Sequence, residues 1–163
     1  MSAGRFQVRV SKDYLVFPAG HFITYGGQCE TLHGHNYRAA VTIDGEVDEN
    51  HYVFDFVELK RMMKEIIQEL DHKMLLPRDN PALTIRETAD SVIVRHEERE
   101  YRFPRRDVCF LPVPNTTAEM IARYLSGRLK ERLFAAGATE LGAIAVEVEE
   151  SFGQSAVYRE VLR

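Results

Sequence analysis

Polar and apolar residues alternate through Arg5-Phe-Gln-Val-Arg-Val10 and on through Tyr14-Leu-Val-Phe17, so one side of an extended segment is apolar and a long strand is predicted over 5–17. Pro18-Ala-Gly20 should end or bend it. A second strand is predicted over about 35–47, with Tyr37, Ala39, Val41 and Ile43 on one face and Asp44-Gly45 offering a turn or bulge. The two should pair antiparallel. The period then lengthens: Leu59, Met62, Met63, Ile66, Ile67 and Leu70 recur at spacings of three and four, which is one stripe of a helix. Asp55-Phe-Val-Glu58 reads as its capping box. A second helix is predicted from the box Thr116-Thr-Ala-Glu119, with Met120, Ile121, Leu125, Leu129 and Leu133 as its buried stripe and Gly137 as its stop. Alternation returns over 143–150 and 155–162, two strands joined by a turn around Gly153. Between the helices, 77–114 is irregular apart from Ser91-Val-Ile-Val-Arg95 and Tyr101-Arg-Phe103, which flank Glu97-Glu-Arg99 as a hairpin.

The order strand, strand, helix, helix, strand, strand predicts an α+β layer structure. With 163 residues and no repeat or Gly/Ser linker, it should form a single domain over 1–163. No run approaches the roughly 20 apolar residues of a membrane helix. The start, Met1-Ser-Ala-Gly-Arg-Phe, lacks the pattern of a secretory leader, so a cytoplasmic location is expected. A net charge of −4 supplies no general attraction to nucleic acid, and Arg105-Arg106 reads either as a local phosphate contact or as a solvated face. Cys29 and Cys109 are expected to be free thiols in that compartment.

Chemistry concentrates in the histidines. In an extended segment His33-Gly-His35 projects two imidazoles to the same side, where both can grip one cation. His21 shares the face of Leu15, Phe17 and Ala19, so it is either a third ligand or a hydrogen-bonded core histidine. Three imidazoles with an open fourth position would make a catalytic zinc site. Cys29 closing the shell would make a structural one.

Cys29 stands four residues before His33, close enough for a cation to favour its thiolate, which could remove a carbon-bound proton. Asp71-His72 is either a proton-passing pair or a histidine at a helix C-terminus, favoured there by the dipole. Glu150 shares the inward face of Val146 and Val148. An inward carboxylate needs either an Arg or a ligand with two neighbouring N–H donors, such as a guanidine-like heterocycle edge.

Taken together, Phe17-Pro-Ala-Gly-His21-Phe22, Cys29-Glu-Thr-Leu-His33-Gly-His35-Asn36-Tyr37, Leu70-Asp71-His72, Thr116-Thr-Ala-Glu119 and Val148-Glu-Glu150 resemble the 6-pyruvoyltetrahydropterin synthase family, including its 6-carboxytetrahydropterin synthase branch. The resemblance spans the chain except the central excursion, about 78–111, which is longer than the family pattern. It implies a tunnel fold: a four-stranded antiparallel sheet with two helices on one face, plus here an inserted hairpin. It also implies homo-oligomers, hexamer or tetramer, with active sites between subunits. By the same likeness His21, His33 and His35 would hold Zn2+, Cys29 would be the base, Asp71 and His72 the proton relay, Glu150 the pterin anchor, and Thr116 and Thr117 pterin contacts. The implied reaction is a lyase conversion of 7,8-dihydroneopterin triphosphate to 6-carboxytetrahydropterin, on the way to queuosine and related deazapurines. The alternatives are the pyruvoyl-type synthase, a side-chain cleavage, and a non-catalytic zinc or pterin-binding module. Glu30, beside Cys29, matches a glutamate that some relatives use for side-chain cleavage.

Overall fold

The structure, a computed structural model, describes residues 5–138 and 140–162; Met1 to Gly4, on which the leader reading rests, lie outside them. The first strand, β1 (Phe6–His21), continues through Pro18, so the proline does not end it. Its carbonyl is used instead, accepting the His72 N–H at 2.7 Å. The irregularity falls earlier, where the pairing register shifts between Ser11 and Val16.

Two short strands follow, β2 (Thr24–Tyr25) and β3 (Gln28–Cys29), and then the long β4 (His33–Gly45), which pairs antiparallel with β1. Tyr37, Ala39, Val41 and Ile43 are fully buried on the predicted face, where Tyr37 stacks on Phe17 at 5.2 Å between ring centroids.

Helix α1 (Phe56–Gln68) is capped by Asp55, which accepts from Val57 N at 2.8 Å. Glu58 does not reach back; it pairs with Arg61 one turn on, which satisfies the carboxylate locally. The chain then makes β5 (Lys73–Pro77), β6 (Thr84–Glu87), β7 (Ser91–His96), β8 (Arg99–Pro104) and β9 (Val108–Leu111). Helix α2 (Ala118–Ala135) starts one residue later than the box predicts: Thr117 is its cap, accepting from Met120 N. It stops at Gly137, whose φ of +85° suits glycine and whose N–H, with that of Ala138, satisfies the last carbonyls. The hairpin β10 (Leu141–Ser151) and β11 (Gln154–Val161) ends the described chain.

The main sheet has six strands in the order β11-β10-β4-β1-β5-β9, not four. The first four are the antiparallel set; β5 and β9 extend it, parallel to β1 and to each other. Helix α1 packs on β1, and α2 packs on β10 and β11. Between helices and sheet lies one core of leucine, isoleucine, valine and methionine, each fully buried side chain contributing about 1.5–3 kcal/mol. The central excursion is a three-stranded sheet, β6-β7-β8, with one strand more than the expected hairpin. It packs Val92, Val94, Tyr101 and Phe103 against Phe22, Met74 and Leu76, forming a second, smaller core. Among the described residues no helix is long and apolar enough to cross a membrane.

Candidate metal centre

Strand pairing brings the three histidines together. In the β1–β4 register His21 lies opposite His33, and Ala19 opposite His35. Because side chains two apart on a strand share a face, all three rings project to one side. The ring centroids lie 4.6, 4.9 and 5.2 Å apart. His21 Nε2 is 3.1 Å from His33 Nε2, close to the roughly 3.3 Å edge of a tetrahedron with metal–nitrogen bonds of about 2.0–2.1 Å. The strands approach so closely here that a Cβ on Gly34 would stand 2.9 Å from the Ala19 carbonyl oxygen. Gly34→Ala should therefore push His33 and His35 away from His21 and weaken metal binding about ten- to hundredfold, as read by titrating the apo protein with zinc.

The donor set fits a divalent metal. His21 Nδ1 lies 2.8 Å from the Thr116 carbonyl oxygen and His33 Nδ1 2.8 Å from that of Thr31. Each carbonyl takes a proton on Nδ1 and leaves the Nε2 lone pair facing the cluster. His21 is 1% exposed, and this burial holds its pKa below the ordinary imidazole value, outweighing the bond to Thr116. It is neutral at pH 7, as a ligand must be. His35 Nε2 is buried without a hydrogen bond of good geometry, and a cation in the cluster would satisfy it.

Glu150 joins them, with Oε1 3.3 Å from both His21 Nε2 and His35 Nε2. One ligand atom from each of His21, His33, His35 and Glu150 lies within 4.8 Å of the others. The inward carboxylate thus faces imidazoles rather than the arginine considered from sequence. Thr116 is fully buried, donating its hydroxyl to the Phe22 carbonyl at 3.0 Å; it acts on the site by orienting His21. Thr117 caps α2 and lines a cavity of about 380 Å³ together with the three histidines, Glu150 and Glu30. Glu119 lines the same cavity from the first turn of α2. Sequence reasoning gave it only a capping role, although its place two residues after Thr117 could have flagged it.

Cys29 and Glu30 point different ways. Neighbouring residues of an extended segment project to opposite sides, and while Glu30 faces the histidine cavity, Cys29 lines another one with His96 and Arg99. Burial pushes the Cys29 thiol up, and the Arg99 guanidinium only partly opposes it. Asp71 Oδ1 lies 3.0 Å from His72 Nδ1. His72 has a φ of +56° and an exposed ring. That ring lines a cavity of about 610 Å³ that also touches His33 and His35. The histidine strand therefore has Glu30 in one cavity and His72 in a second one.

Residues 9–161 match the family described as 6-pyruvoyl tetrahydropterin synthase. A Methanocaldococcus jannaschii protein, provisionally named 6-carboxy-5,6,7,8-tetrahydropterin synthase, is 35% identical over 149 residues, 91% of each chain. An Aquifex aeolicus 6-carboxy-5,6,7,8-tetrahydropterin synthase is 31% identical over 162 residues, 88% of this chain and 93% of its own. Among solved structures, a Plasmodium vivax 6-pyruvoyltetrahydropterin synthase in which a glutamate described as a catalytic residue is changed to alanine superposes with a TM-score of 0.90. It is 30% identical and the match covers 98% of this chain and 99% of that one.

Proposed function

The chain belongs to the 6-pyruvoyl tetrahydropterin synthase family, and on that premise we propose that it is a metal-dependent lyase acting on 7,8-dihydroneopterin triphosphate, with 6-carboxytetrahydropterin as product. The observation that carries this reading is the meeting of three imidazoles with Glu150 and Glu30 on one cavity. The names of the relatives from M. jannaschii and A. aeolicus support the choice of product.

A zinc ion held by His21, His33 and His35 would polarise the hydroxyls of the pterin side chain. Glu30, in the same cavity, is the group we assign to take up the carbon-bound proton. His72, oriented by Asp71, returns a proton from the second cavity. Glu150 offers two carboxylate oxygens to the neighbouring N–H donors of the pterin edge, while Thr117 and Glu119 line the approach. Assembly belongs to the same proposal: Phe152, 99% exposed two residues after Glu150, is where a second copy would cover the cavity. The product would feed queuosine and related deazapurines.

The position of Glu30 favours a second reading, in which the same site splits the side chain between its two hydroxyl-bearing carbons. The two readings release different fragments. Incubating the zinc-loaded protein with dihydroneopterin triphosphate should yield free triphosphate and acetaldehyde, identified by mass, for the carboxy-type reaction. Cleavage between the hydroxylated carbons would instead leave the triphosphate on a two-carbon aldehyde. Binding of the pterin with no fragment released would reduce the chain to a binding module.

A further inference from the structure

The segment 22–32 carries Glu30 between two metal-binding strands, yet it has little structure of its own: two strands of two residues each, joined through exposed Gly26 and Gly27. Its first half is held from the segment before α2, where Asn115 bonds the Thr24 N–H and carbonyl and Thr116 the Phe22 carbonyl; further anchors come from the central three-stranded sheet and its flanks. The Phe22 ring stacks on Tyr101 of β8 at 5.2 Å, and Cys29 packs against the same apolar cluster. Asn80, buried before β6, donates to Thr24 Oγ1 at 2.9 Å. At the tip of the β7–β8 hairpin, Arg99 Nη1 donates to the carbonyl oxygens of both Cys29, at 2.8 Å, and Glu30, at 3.2 Å. The Glu30 N–H is bound to the Ile23 carbonyl at 3.0 Å. The Glu30 peptide is therefore held on both sides, and its side chain alone is left to face the cavity.

One guanidinium nitrogen on two successive carbonyls turns both toward the hairpin, which fixes the peptide plane between them and the direction in which Glu30 leaves the backbone. Two neutral carbonyls on one charged donor are strong, short-range anchors. We infer that the β6-β7-β8 sheet is a brace for the loop bearing the proton acceptor, and that Arg99 is its positioning residue. The inference rests on the reading of Glu30 as that acceptor.

The test uses the zinc-loaded full chain. Arg99 is exposed, so Arg99→Ala should fold and keep its metal. Its kcat should fall about ten- to hundredfold, the loss that a displacement of about 1 Å produces, with KM unchanged. Amide exchange over residues 27–32 should quicken in parallel. Arg99→Lys, which keeps a charged donor on a stem, should recover part of both. Unchanged exchange in Arg99→Ala overturns the brace, and so does quickened exchange with wild-type kcat or a loss confined to KM. Whether Glu30 is the acceptor at all is read separately, from Glu30→Gln in the otherwise unaltered chain, so failure of that reading is not mistaken for failure of the brace.

Discussion

Changing His33 to alanine should strip the metal from the protein and lower turnover by at least about a thousandfold. The thousandfold follows from the several kcal/mol of charge stabilisation a bound metal supplies, at about 1.4 kcal/mol per factor of ten. His33 is the informative choice of the three. Its ring is the exposed member of the cluster, and its Nδ1 contact is to Thr31, two residues away. Little packing is lost with it, so the apo variant should melt within about 0.5 kcal/mol of the apo parent. His21 would be a poorer probe. It is buried, bonded to the Thr116 carbonyl and in edge contact with the Tyr37 ring, so its removal disturbs core and site together. Metal per chain by elemental analysis, beside the initial rate, checks the expectation. Stoichiometric zinc with an unimpaired rate in His33→Ala would remove the three-imidazole site from the reaction.

The convergence of the histidines was legible because it depends on strand alternation and one pairing. Two residues on β4 share a face by period alone, and the apolar series Leu15, Phe17, Ala19 carries His21 to the matching face of β1. The four antiparallel strands and two helices were legible for the same reason, each being long enough for its period to repeat. Strands β5 and β9 were not. Lys73-Met-Leu-Leu-Pro77 and Val108-Cys-Phe-Leu111 are short apolar runs with no alternation, and nothing local says that they pair in parallel at a sheet edge. The meeting of Glu150 with His21 and His35 was hidden as well, because it depends on the β10–β4 register and not on any spacing along the chain. Distance along the chain suggested Cys29, and spacing alone could not say that Glu30 lines the cavity of the three histidines while Cys29 lines the neighbouring one.

Glu30→Gln should therefore cost more turnover than Cys29→Ala. A group that takes a proton in the transition state contributes about a hundred- to ten-thousandfold. Glutamine keeps the shape and polarity of glutamate and cannot accept the proton, so the Glu30→Gln variant should lose that factor while still binding metal and pterin. Cys29 stands in the neighbouring cavity, and burial leaves its thiol protonated at neutral pH. Its removal takes a small, half-buried side chain from the packing under the loop and the thiol's own contact with Arg99, but leaves the two Arg99 bonds to backbone carbonyls. Less than about tenfold in kcat should be lost, by slight displacement of Glu30 alone. Parallel rate measurements on both zinc-loaded variants, with metal content verified, decide between the two residues. The reverse order, with Cys29→Ala inactive and Glu30→Gln near normal, would mean that the loop turns over on binding substrate and presents the thiol. Comparable losses in both would mean that the proton passes through the two side chains in succession.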